Sequence, residues 1–147
     1  MFEYYLSQWE INLNSDQQKD KMNIKVLMVI TAIVGFLFGI SFLLFPAWTE
    51  ASYGVNLDAG GQLIARFLGS AYLGIATILW LARNSPSSST RHAIVLGTFV
   101  TMSLGLIVAI YDRVLGIENA LAWSTVAIFL LLSIGFGYFA FIKPNAE

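Results

Sequence analysis

Cysteine is absent from the 147 residues, histidine occurs once, and charged side chains make up only 12% of the chain. The first absence excludes disulfides, thiol nucleophiles and lipidation at cysteine. The single histidine, His92, cannot by itself build the ligand sets of zinc or haem centres. The shortage of charge excludes more. Soluble domains carry roughly a quarter of their residues as Asp, Glu, Lys and Arg, whereas this chain is 57% hydrophobic with a mean hydropathy of +0.71. There is no basic patch, so no nucleic-acid partner is expected. A phosphate-binding glycine loop followed by Lys and Ser is missing, as is a nucleophile elbow. The acidic residues form no close pair suited to general acid and base work. The sequence therefore names no catalytic residue, no metal and no cofactor.

What is present is apolar sequence in long runs. Residues 1–25 hold Glu3, Glu10, Asp16, Lys19, Asp20, Lys21 and Lys25 before the first run begins, which is not the layout of a cleavable signal peptide. The first run is thus expected to stay in the mature protein. Phe2, Tyr5, Leu6, Trp9 and Leu13 share one helical face, which predicts a short interfacial helix, and Ser15 with Gln18 has the spacing of a capping box. Four apolar spans follow, at about 26–45, 62–82, 93–111 and 120–142, with Arg66 the one charge inside the second, each near the roughly 20 residues that a helix needs to cross a bilayer. Pro46 marks the end of the first, Gly116 has the place of a helix cap, and Asn119 of a helix start. Residues 47–61 read as an ordered loop or short interfacial helix. The expectation is an all-α, integral membrane, antiparallel four-helix bundle over 26–143, preceded by a cytoplasmic or interfacial segment.

Orientation follows from the positive-inside rule. With the N-terminus inside, Lys19, Lys21, Lys25, Arg83, Arg91 and Lys143 face the cytoplasm and only Arg66 and Arg113 lie outside. Both termini are therefore predicted to be cytoplasmic, in a bacterial inner or plasma membrane.

In lipid, close packing and buried polar contacts decide how helices meet. Small residues recur at four-residue spacing as Gly35 and Gly39; Ala65 and Gly69; Ser70 and Gly74; Gly97, Thr101, Gly105 and Ala109; and Ser133 and Gly137. These series predict helix contacts inside one bundle, with a homodimer through Gly35 and Gly39 as the alternative. Arg66 and Asp112 fall near the outer ends of the second and third spans, at matched depth. They are expected either to pair and fix the register of those helices or to hold an anionic head group or polar ligand. Trp48, Tyr53, Ser70, Tyr111 and Arg113 are the other candidates for lining an outer pocket. Glu50, Asp58, Asp112 and Glu118 lie on the same side and offer oxygen ligands for a divalent ion. Tyr72, deeper in its span, needs a hydrogen-bond partner and marks a polar interior.

The stretch Ala65-Arg66-Phe67-Leu68-Gly69-Ser70-Ala71-Tyr72-Leu73-Gly74, which opens the second span after an outer loop, resembles the Arg-x-x-Gly pattern of small bacterial four-helix membrane proteins, the DoxX-like and related uncharacterised families. The resemblance implies a compact bundle over 26–142 and singles out Arg66 and Gly69. It further implies, as for some DoxX-like proteins, membership of a quinone-linked or redox assembly, although this chain has no cysteine or haem-type histidine pair. The residues themselves favour a small non-enzymatic membrane protein that binds membrane lipid or another amphipathic ligand at the outer end of its bundle. An assembly or accessory subunit, and a transporter or enzyme for a hydrophobic substrate, are the alternatives.

Overall fold

Residues 2–34 contain neither proline nor glycine, and helix α1 runs without a break from Phe2 to Leu44. The structure, a computed structural model, describes residues 1–116 and 119–142; within the first 22 residues it describes the side chains of 1, 8, 9, 11, 12, 15 and 19. The expected separate N-terminal helix is thus the first half of α1. Ser15 caps nothing: it sits inside the helix, and its hydroxyl donates to the Asn12 carbonyl at 2.8 Å. With no helix breaker nearby, a serine that bonds back into its own turn is tolerated. Phe2, Tyr5, Leu6 and Leu13 of the proposed apolar face lie outside the described side chains, as does Gln18, while Trp9 is exposed. The 43 residues of α1 measure about 64 Å at roughly 1.5 Å per residue, twice the hydrocarbon thickness of about 30 Å. Its apolar half is Asn23–Leu44.

Local chemistry sets the other boundaries. Pro46 opens the short helix α2, Pro46–Ser52, from its first position, where its missing amide would be unpaired anyway. The turn after it passes through Gly54 at φ +80. Helix α3, Ala59–Ala82, is capped by Asp58, whose carboxylate accepts the Gly61 amide at 2.7 Å. Helix α4, Ser89–Val114, begins one turn before its apolar run because Ser88 accepts the Arg91 amide at 3.2 Å. It stops at Gly116, φ +90, a conformation that favours glycine. Asn119 then caps α5, Ala120–Gly137, by accepting the Ala122 amide at 2.8 Å. The chain continues from α5 through a π-helical turn, Tyr138–Ile142. Among the described residues four helical stretches are long and apolar enough to cross a membrane: Asn23–Leu44, Ala59–Ala82, Ser89–Val114 and Ala120–Ile142.

These helices pack as two antiparallel pairs, α1 with α3 and α4 with α5. Gly69 makes the first seam. A β-carbon built there would lie 2.6 Å from the Leu43 backbone nitrogen and 2.8 Å from the Gly39 carbonyl oxygen. Gly35 faces the Ala76 β-carbon at 3.1 Å, so the Gly35 and Gly39 ridge meets α3 inside the bundle, the first of the two uses expected for it. In the second pair, Gly105 lies under the Phe129 ring and Gly137 under Phe99, and the Ser103 and Ser133 hydroxyls share a 2.8 Å hydrogen bond. Gly74 and Gly97 depart from expectation, since among the described residues a β-carbon at either would meet no atom within 4 Å. Four-residue spacing marks a common face, but at these two positions no neighbouring helix covers it.

The two pairs meet at one end. Ile24, Met28, Ala82, Val95, Phe136 and Ala140 form a shared core there, with Met28, Val95 and Phe136 fully buried. Leu27 of α1 covers Gly135 of α5. Arg91, expected as a loop cation, is also buried at this closed end, and its Nη1 donates back to the Ser85 carbonyl at 3.0 Å. Arg83 lies over the Trp80 ring at 4.1 Å.

Candidate functional site

Away from the closed end the two helix pairs diverge and enclose a cavity of about 520 Å³, within the roughly 300–1,000 Å³ of small-molecule sites. Its floor is made by Thr31, Met102 and Leu132, and its walls include Val34, Phe38 and Phe42 of α1, Tyr72 and Ile75 of α3, and Ile128 and Phe129 of α5. Tyr72 packs its ring beside Phe38 and Phe42, with centroids 6.5 and 6.1 Å away. Thr31 and Thr101 do not make the interior polar. Thr31 donates to the Leu27 carbonyl at 2.9 Å and Thr101 to that of Gly97 at 3.0 Å, so their hydroxyls are already satisfied within their own helices. From Thr31 to Phe42 the lining covers about 16 Å along α1, at roughly 1.5 Å per residue.

The charged groups of the lining gather at the open end, where Glu50, Asp112 and Arg113 stand with Tyr53 and Thr125. Tyr53 and Thr125 share a hydrogen bond of 3.0 Å, and Asn119 donates to the Ser52 carbonyl at 3.4 Å. These contacts tie α2 and its following turn to α5. Arg113 donates from Nε to the Ala109 carbonyl at 3.2 Å, while its buried Nη1 has no hydrogen-bond partner among the described residues. Burial, and then the charge of Asp112, pushes the Glu50 carboxyl above its ordinary value of 4.5. Burial likewise raises the Tyr53 phenol, partly offset by its bond to Thr125. The rim therefore offers two carboxylates, one guanidinium with an unused donor, and a hydroxyl pair.

The chain belongs to the family described as Domain of unknown function (DUF8292). That family's model matches residues 3–142, which takes in the cavity and all the helices around it apart from the first residue of α1. No curated protein and no solved structure matches the chain.

In this DUF8292 chain the expected pairing of Arg66 with Asp112 does not form. Asp112 lines the cavity, but Arg66 is exposed, on the face of α3 that also carries Leu63, Phe67 and Ser70. The cavity stands between their helices, and Arg66 points away from it. Of the expected outer-pocket set, Tyr53 and Arg113 line the cavity. Ser70 is exposed and donates to the Arg66 carbonyl; Tyr111 is 60% exposed. Trp48 borders a separate shallow groove of about 210 Å³ on the far side of Phe38 and Tyr53. Among the helix-packing candidates, Gly35, Thr101, Gly105 and Ala109 are cavity-lining residues as well. Among the described residues no three His, Asp or Glu side chains are placed to hold a metal ion; Glu118 lies outside them. Sequence reasoning did not single out Phe38, Phe129 or Thr125. Nothing in their local sequence distinguishes them from lipid-facing neighbours.

Proposed function

We propose that this protein is a multi-pass membrane protein of a bacterial inner or plasma membrane, with both termini in the cytoplasm, that binds a lipid-like amphiphile in the cavity at the outer end of its bundle. The observation that carries this reading is the division of the cavity into an apolar shaft and a polar rim. Such a shape suits a molecule with one greasy part and one hydrogen-bonding part. The rim holds two carboxylates against one guanidinium, so a head group with an ammonium or hydroxyl donors suits it better than a purely anionic one. The Arg113 Nη1 donor is available to a phosphate or carbonyl oxygen of the same head. The likeness of residues 65–74 to DoxX-like proteins supports the same four-helix plan and adds no reaction.

Native mass spectrometry of the protein released from lipid nanodiscs tests the proposal. A defined amphiphile should remain on the wild type and be depleted by Arg113→Ala, with Arg66→Ala leaving it in place. A ligand-free protein, or equal retention in both variants, would overturn the assignment of the rim. A second reading, an accessory subunit of a membrane complex, is favoured by the length of α1, which carries the exposed side chains of Trp9 and Ile11 far beyond its apolar half. Deleting residues 2–14 should then abolish recovery of a partner while ligand retention is unchanged.

A further inference from the structure

The cavity walls are unequal. Between α1 and α5, Phe38 and Tyr53 stand between the cavity and the shallow groove, and α2 lies against that side. The Tyr53–Thr125 bond fastens this closure to α5. Between α3 and α4 no comparable bridge is found among the described residues, because α3 packs directly on α1 and α4 on α5. Leu68 and Ala71 of α3 and Val108 of α4 line the cavity and are at the same time exposed, Leu68 by 42% and Val108 by 59%. A side chain that bounds a cavity and still keeps about half its surface outside is the edge of an aperture. Immediately outside this edge lie Ile64, Phe67, Leu104 and Ile107, all apolar and exposed. The aperture therefore opens onto the lipid-facing surface.

We propose that the cavity is loaded sideways from the bilayer: one tail of an outer-leaflet lipid passes between α3 and α4, through the slot edged by Leu68, Ala71 and Val108, while its head stays at Glu50, Asp112 and Arg113. This rests on the reading of the cavity as an amphiphile site. The dimensions agree with it. A lining about 16 Å deep at roughly 1.5 Å per residue is close to half of the roughly 30 Å hydrocarbon core, the depth reached by the tails of one leaflet. The route also avoids two costs. A tail arriving through water would expose every methylene to solvent. A head drawn through an apolar slot would lose its hydration without a partner. Sliding sideways keeps the tail in hydrocarbon and the head at the interface throughout.

The test uses the full chain in vesicles of phosphatidylethanolamine and phosphatidylglycerol. The probe is a phosphatidylethanolamine with a diazirine near the end of one acyl chain. After illumination, adducts are mapped on Thr31, Met102 and Leu132, whose buried side chains an annular lipid outside the bundle does not touch. Adducts are expected in the wild type and in a Leu68→Cys, Val108→Cys double variant. They should disappear when those two cysteines, unique in a cysteine-free chain, are joined by a bifunctional thiol reagent before the probe is added. The unlinked double variant controls for folding, and Ala71→Trp should narrow the same slot without any cross-link. Undiminished adducts in the linked protein would overturn sideways loading while leaving the amphiphile site standing. A wild type that carries an amphiphile in the mass spectrometer but shows no floor adducts would overturn the lipid tail as the occupant. Absence of both would end the underlying reading as well.

Discussion

Single residues decide how closely the helices approach, and glycines of similar sequence context do so unequally. At Gly69 an added methyl meets backbone atoms of α1, which cannot rotate away. Gly69→Ala is therefore expected to destabilise the protein by about 1–3 kcal/mol, as overpacking does in tight cores. Gly74→Ala and Gly97→Ala meet open space and should range from neutral to a gain of about 1 kcal/mol, the helix preference for alanine over glycine. Thermal unfolding in detergent would check the contrast, and equal effects at all three sites would contradict the seam. Glu50 carries the pH dependence at the rim. Its carboxyl is raised above 4.5 in the fold, so the folded protein holds that proton more tightly than the unfolded chain. Stability from this group is full below the ordinary value and falls as pH rises through the higher folded value. Glu50→Gln should flatten that decline and make the protein more stable than wild type at neutral pH; an unchanged slope would place the titration elsewhere.

At the level of elements, the turn after α2 is held to α5 mainly by the hydroxyl pair of Tyr53 and Thr125. Thr125 also donates to the Leu121 carbonyl at 3.1 Å, so removing the tyrosine hydroxyl leaves no orphaned group on α5. Tyr53→Phe should accordingly cost about 1 kcal/mol, the net worth of an ordinary hydrogen bond. Combining it with Thr125→Val should cost less than the sum of the two changes, which a double-mutant cycle measures. Element boundaries were readable in the sequence wherever one side chain or one φ angle decides them, as at Pro46, Gly116 and Asn119. Ser15 and Gln18 misled because capping residues mark a helix start only where something interrupts the preceding helix. The site was half readable. Depth along the bundle follows from counting residues, which placed Arg66, Asp112, Arg113 and Tyr53 at one end. Which way a side chain points around its helix depends on the partner helix, and spacing alone does not name that partner. Arg66 was therefore grouped with Asp112 and Arg113, although it lies on the exposed face of α3 while those two line the cavity, and the gap between the two pairs left no trace in any one helix.

For the whole molecule, the arrangement joins a packed end to a hollow one, and the direction in which the hollow end faces can be measured. Cysteines placed singly at Asn56 and at Ser87 lie in the turns at opposite ends of α3. A membrane-impermeant thiol reagent added to intact cells should label Asn56→Cys and spare Ser87→Cys; the reverse pattern would turn the cavity toward the cytoplasm. Gly39 and Gly69 bear on this geometry as well. Because the backbones of α1 and α3 touch there, neither helix can slide along the other without driving Leu43 or Leu73 into the place of a glycine. The contact works as a detent: α1 becomes a ruler against which α3 is set, so that Tyr72 of α3 stays level with Phe38 and Phe42 of α1 on the cavity wall.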